Sequence, residues 1–233
     1  MNPRAIHHGD TEVPSRKESD LSLRASVPLW LKPGSWMPCV GWMLVVSGLL
    51  GGLGCGFSES GRLPKPGRVV LTQLDGVEAR TPTEDGVRAV VYVFLGIECP
   101  IANRVIPELS ALERELGGKG VVFCPIYPYP DETAEQIRKH REGYGLSGPA
   151  YRDPEFKLAR VLRAHATPEV VALTGDGSLI YRGRVNDQFT ALGVGRPEAT
   201  RHDLADALRD YLTSGVARGR IEPAVGCTFR ALP

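Results

Sequence analysis

The chain has 233 residues, 42% of them hydrophobic, enough to bury a core and carry one domain with additional segments. Its 28 Lys and Arg against 27 Asp and Glu leave a formal charge of +1, scattered rather than bunched, which gives no argument for nucleic acid or for an acidic partner. Five cysteines are too few for a disulfide scaffold at this length, so each is read by its position.

Residues 1–32 are polar and mixed in charge, without periodicity, and read as a disordered N-terminal segment. Residues 33–55 carry no charge and include "WMPCVGWMLVVSGLLGGLGC", preceded by Arg24 and Lys32, the pattern of an export signal. The closing "GLGC" resembles the lipobox of bacterial lipoproteins, which places lipidation and cleavage at Cys55, although Gly52 stands where Leu is usual. An uncleaved membrane-spanning helix is the alternative, since ~20 apolar residues suffice to span a bilayer. Both readings predict an exported protein of the cell envelope, tethered to a membrane by its N-terminal anchor and facing the periplasm or the exterior. Thiols there need a reason to persist, because the compartment is oxidising. Cys39 lies inside the hydrophobic segment and is lost if cleavage occurs at Cys55. Residues 56–68, "GFSESGRLPKPGR", form a Ser/Gly/Pro linker, so the folded domain is expected over 69–216, with an extended C-terminal tail over 217–233.

Within the domain, "RVVLTQL" and "RAVVYVFLG" predict strands, the second continuous enough to be a buried central one. Val105, Ile106, Leu109, Leu112 and Leu116 follow at helical spacing, with Pro107 inside the helix and Gly117-Gly118 ending it. "GVVFCPIYP" is the next strand, and Asp131 is placed as the cap of a second helix that ends at Gly145. Asp153-Pro154 opens a short helix, and "EVVALTG" and "SLIYRGR" form a hairpin around "GDGS". Leu204, Leu208 and Leu212 mark a last helix. A helix between two strands implies a parallel crossover and the late hairpin an antiparallel edge, so the fold class is α/β, a mixed sheet with helices on both faces.

Cys99 stands where a strand ends and a helix begins. The thiolate is the reactive form of cysteine, and a free thiol titrates near ~8.5. The unpaired N–H groups and positive dipole end of a helix start favour the anion. Pro100 fits the first helical position, where its missing N–H costs nothing. Glu98 opposes this if its carboxylate points inward, and the competing reading is a buried structural cysteine. The usual partner three residues on is missing, because position 102 is Ala102.

Four motifs in order then resemble the thioredoxin-like fold, and within it the redoxin branch, relatives of alkyl hydroperoxide reductase and thiol-specific antioxidant. They are Cys99-Pro100-Ile101-Ala102, Thr167-Pro168 before the hairpin, "YRGRVNDQ" after it, and the closing Gly226-Cys227-Thr228-Phe229. The resemblance covers roughly residues 69–229. It implies a cis peptide bond at Pro168, Thr167 facing Cys99, and Thr167, Pro168 and Pro100 shaping the substrate face. It also implies Cys227 as the second sulfur, brought back across the sheet edge to resolve a mixed disulfide or sulfenic acid. A structural disulfide, an idle tail thiol, and Cys124 as the partner instead remain open readings.

Two departures restrain the activity. Peroxidases of this branch carry Pro-x-x-x-Thr-x-x-Cys, and those positions here hold Tyr92 and Gly96. A dithiol reductase carries Cys-x-x-Cys, which is also missing. His140, His165 and His202 are read as surface or capping residues, and neither a cofactor nor a metal is expected. The expected function is therefore thiol–disulfide chemistry on a protein disulfide, thiol or peroxide substrate, served by a thiol reductant. Peroxide reduction and a non-catalytic binding module are the alternatives.

Overall fold

The computed structural model describes residues 69–82 and 86–229. The N-terminal segment, the hydrophobic stretch with Cys39 and Cys55, and the linker lie outside the described residues.

Strands β1 (Val70–Gln73) and β2 (Glu78–Arg80) form a short antiparallel hairpin ahead of β3 (Ala89–Phe94). All six residues of β3 are buried, as expected of a central strand covered on both faces. Helix α1 (Pro100–Leu116) follows, then β4 (Val121–Tyr127), α2 (Ala134–Tyr144), β5 (Tyr151–Arg152) and α3 (Lys157–Leu162). Strand β6 (Ala166–Thr167) leads through Pro168 into the hairpin of β7 (Glu169–Thr174) and β8 (Leu179–Gly183). A small hairpin of β9 (Phe189–Ala191) and β10 (Val194–Gly195) precedes α4 (Asp203–Ser214), and the tail contributes β11 (Arg220–Ile221) and β12 (Cys227–Thr228).

The main sheet has the order β11-β8-β7-β3-β4-β5-β1-β2. β3 and β4 run parallel across the α1 crossover, and β7 lies antiparallel to β3. Alternation along β3 sends Val91 and Val93 into one core and Val90, Tyr92 and Phe94 into the other. The first core takes the apolar faces of α1 and α4, including Val105, Ile106, Leu109, Leu204 and Leu208. The second takes Leu158, Ala159 and Leu162 of α3, together with Phe229 from the tail. The fold is thus the mixed α/β sheet with helices on both faces that the sequence predicts.

Several local readings are corrected. The cap of α2 is Thr133, not Asp131: its hydroxyl accepts from the Gln136 N–H, and the Gln136 side chain accepts from the Thr133 N–H. This reciprocal pair satisfies two helix-end donors, which Asp131 is placed too early to do. Asp153 does cap α3, but from outside it, accepting the N–H groups of Lys157, Leu158 and Ala159. His140 is not a surface residue. Its ring is buried between Tyr127 and Tyr144, with Nδ1 3.0 Å from the Tyr127 hydroxyl and Nε2 2.8 Å from Asn103 Oδ1. The expected extended C-terminal tail contributes β11, parallel to the β8 edge, and β12, paired with β6.

Candidate functional site

Cys99 is the residue before the first turn of α1, with Pro100 at the helix start. The sulfur accepts no bond from that turn. It turns across the strand end instead, and Cys99 Sγ donates to the Thr167 carbonyl oxygen at 3.0 Å. The first-turn N–H groups that the sequence assigns to the thiolate therefore do not hold the sulfur in this geometry. Cys99 is 4% exposed.

The peptide bond between Thr167 and Pro168 is cis. Glu169 fixes the approach to it: this buried carboxylate accepts the N–H groups of His165 and Ala166, and His165 Nδ1 lies 3.1 Å away. Burial raises the Glu169 carboxyl above its ordinary range, against the pull of those bonds. His202, read as a surface or capping residue, is exposed at the start of α4, makes no side-chain cap there and pairs with Glu108 at 2.9 Å. Asn186 and Asp187, from the "YRGRVNDQ" motif, stand apart from the thiols. Asp187 accepts from the backbone and hydroxyl of Thr200 and from the Arg201 N–H, so this motif shapes a loop.

The tail supplies the second sulfur. β12 runs antiparallel to β6 with Cys227 opposite Thr167 and Thr228 opposite Ala166. Cys227 lines the same cleft as Cys99, and its thiol is pushed up to about 11 by burial first and then by that neighbour. Both thiols are free. Cys124 lies on the other face, in the second core, where burial raises its thiol far above the ordinary value. Of the three described cysteines, the fold brings together Cys99 and Cys227 and sets Cys124 apart.

A cleft of about 470 Å³ opens beside the thiols, lined by Cys99 and Cys227 with Tyr129, Glu132, Glu98 and Asp131 among others. Tyr129 donates to or accepts from the Thr167 hydroxyl at 3.2 Å and packs against Gly96. A Cβ on Gly96 would stand 2.6 Å from the Tyr129 ring, so the Thr or Ser of the peroxidase pattern would require that ring to move. Tyr92, at the other pattern position, is buried in the second core with its hydroxyl on Thr81. Glu132 is a site residue that sequence reading missed. Its carboxylate accepts the Ile97 N–H at 2.6 Å, and its second oxygen is buried without a partner among the described residues. Burial pushes the Glu132 carboxyl up to about 7. Nothing in the sequence marks Glu132.

No protein-family model matches the sequence, and no curated protein matches it. Among solved structures, an uncharacterized conserved protein from Geobacillus kaustophilus is 27% identical, with 74% of this chain and 94% of that chain covered and a TM-score of 0.59. A hypothetical protein from Sinorhizobium meliloti 1021 is 21% identical, covers 69% of this chain and 88% of its own, and has a TM-score of 0.57. A secreted Mycobacterium tuberculosis disulfide oxidoreductase is 18% identical, with 63% and 95% covered and a TM-score of 0.44. The domain is thioredoxin-like. Its parallel crossover, its cysteine at the start of α1 and its cis proline opposite that cysteine are the marks of this fold in the chain. The thioredoxin-like domain departs from the common dithiol arrangement in one respect. Its neighbouring sulfurs come from the α1 start and from the C-terminal tail, not from one helix.

Proposed function

We propose that this thioredoxin-like protein, of redoxin type, is a thiol–disulfide oxidoreductase in which Cys99 is the nucleophile and Cys227 the resolving thiol. The observation that carries this reading is the β12–β6 pairing, which sets Cys227 opposite the residue whose carbonyl holds the Cys99 sulfur. In the oxidised-substrate direction, the Cys99 thiolate attacks a disulfide R–S–S–R, forming a Cys99–S–S–R bond and releasing one thiolate. Cys227 then attacks the Cys99 sulfur, forming the Cys99–Cys227 disulfide and releasing the second thiolate. Two protein thiols are oxidised and one substrate disulfide is reduced to two thiols. An external thiol reductant restores the protein by the reverse exchange. Glu132, in the same cleft and titrating near neutrality, is suited to take the proton lost when a thiol becomes a thiolate. Of the residues expected to shape the substrate face, Thr167 and Pro168 are buried, Pro100 is exposed, and none of the three is in the lining of the cleft.

Peroxide reduction is the second reading. Position 96 speaks against it: it is Gly96, with no peroxide-positioning hydroxyl, and the Tyr129 ring packs against it. Export, with Cys55 lipidated or the hydrophobic stretch retained as an anchor, completes the reading. It rests on the sequence of residues 33–55, and among the described residues no helix is long and apolar enough to cross a membrane.

The test is turnover with a small disulfide, followed by intact-mass analysis. Wild type is expected to lose two hydrogens, Cys227→Ser to stop as a mixed disulfide on Cys99, and Cys99→Ser to remain unmodified at low reagent excess. Unmodified Cys99 in the wild type under the same conditions would contradict the proposal.

A further inference from the structure

In a thioredoxin-like domain the short strand leading to the cis proline carries backbone groups beside the active sulfur. Here that strand, β6, pairs only with β12 among the described residues. An extended polypeptide binds such an edge by adding a strand through main-chain hydrogen bonds, and an edge already paired cannot accept another strand on the same side. Three further features accompany that pairing.

Gly226 passes so close to the edge that a Cβ on it would stand 2.1 Å from the Thr167 carbonyl oxygen, so the approach demands glycine. Beyond the paired residues, the Phe229 N–H donates to the His165 carbonyl at 2.9 Å. The Phe229 ring then enters the second core, with its centroid 5.9 Å from that of Phe94 and 5.5 Å from that of Phe156. Phe229 is 7% exposed. A segment needed only to deliver Cys227 would not require a ring anchored in the opposite core.

The space left over is the cleft of about 470 Å³, which reaches both thiols from the Tyr129 and Glu132 side. That volume is the size of a small-molecule pocket, ~300–1,000 Å³. We propose that the docked tail segment Val225–Phe229 is a selectivity device, admitting small disulfides and thiols to Cys99 through the cleft and excluding extended polypeptides until the tail is displaced. The inference rests on the thiol–disulfide reading and adds to it the substrate class. The reacting step is the one written above, with a low-molecular-weight disulfide as R–S–S–R.

The experiment compares two reagents on full-length Cys227→Ser protein, which isolates the first attack. One is 2-hydroxyethyl disulfide; the other is an eight-residue peptide whose central Cys is activated as a 2-pyridyl disulfide. Each is then measured on Cys227→Ser combined with Phe229→Ala, and with Gly226→Val, which lifts the strand without emptying the core. The ratio of peptide rate to small-disulfide rate is expected to rise at least tenfold in both combined variants. An unchanged ratio in variants that still melt cooperatively would overturn the proposal. Absence of reaction with either reagent would instead refute the thiol–disulfide reading. The selectivity claim then stands on fluorescence anisotropy with a labelled peptide carrying Ser for the Cys. Saturable binding to Gly226→Val and none to the tail-docked protein is expected, and equal binding to both would overturn it.

Discussion

Cys227 and Thr167 face each other across the β12–β6 pair, and the same Thr167 that receives the Cys99 thiol on its carbonyl has its hydroxyl 3.5 Å from the Cys227 carbonyl oxygen. One residue before the cis proline thus gathers the two sulfurs, and a second contact links it to Tyr129 on the cleft wall. On the proposed reading, chemistry that in a Cys-x-x-Cys helix is local depends in this chain on how its C-terminal strand docks.

The docking is expected to be a measurable part of stability. Phe229→Ala removes a ring packed against Phe94 and Phe156 in the second core and should cost ~3–5 kcal/mol, read as a shift in urea midpoint at unchanged slope. A cost below ~1 kcal/mol would show the tail to be loosely held.

Gly226→Ala tests the close pass directly. The added methyl overlaps the Thr167 carbonyl, a backbone atom that cannot swing aside, so ~1–3 kcal/mol of destabilisation is expected. Faster alkylation of Cys227 should accompany it, measured by mass after timed iodoacetamide quenching. Unchanged alkylation would place the constraint elsewhere.

Glu132 should make stability depend on pH. Its carboxyl is raised from 4.5 to about 7 in the folded protein, chiefly by burial, with the Asp131 and Glu98 carboxylates pushing the same way and the Ile97 N–H and Arg152 opposing. The folded state therefore binds more protons than the unfolded state between these values, and this contribution to stability, fully present below 4.5, is lost as the pH rises through about 7. Glu132→Gln keeps an acceptor for Ile97 but cannot ionise. Its melting temperature relative to wild type should rise from pH 5 to pH 8, and a pH-independent difference would remove Glu132 from this role.

Cys124 should take no part. Native protein is expected to leave it unalkylated while Cys99 and Cys227 react, and Cys124→Ala should keep the oxidised mass and turnover of wild type. Labelling of Cys124 at rates near those of the other thiols would contradict its placement in the second core.

The sheet and its helices were legible because their signals are local. Six apolar residues in a row make β3, and the spacing from Val105 to Leu116 makes the buried face of α1. Cys99 stood out at the junction of the two. The capping box Thr133-x-x-Gln136 was also present in the sequence and outweighs the nearer Asp131 because it satisfies two donors at once. His140 was misplaced because its partners, Tyr127 and Asn103, come from β4 and α1, and helical periodicity does not reveal them. Glu132 was hidden for the same reason, and the return of Cys227 was implied only by the resemblance, with no local signal for the β12–β6 pairing itself. The first is defined by a backbone N–H 35 residues away, and the second joins residues 60 apart through strands only two residues long. A two-residue strand has no periodicity to read.

The central claim is that Cys99 and Cys227 form one redox pair, and the most direct test is disulfide mapping of full-length protein. Protein oxidised by one equivalent of small disulfide would be alkylated, digested and analysed by mass spectrometry, then compared with a sample reduced before alkylation. The account predicts a single new cross-linked peptide pair joining Cys99 to Cys227, reversed by dithiothreitol, with Cys124 alkylated only after denaturation. A Cys99–Cys124 linkage, or a Cys227 still free while Cys99 carries the small thiol, would contradict it.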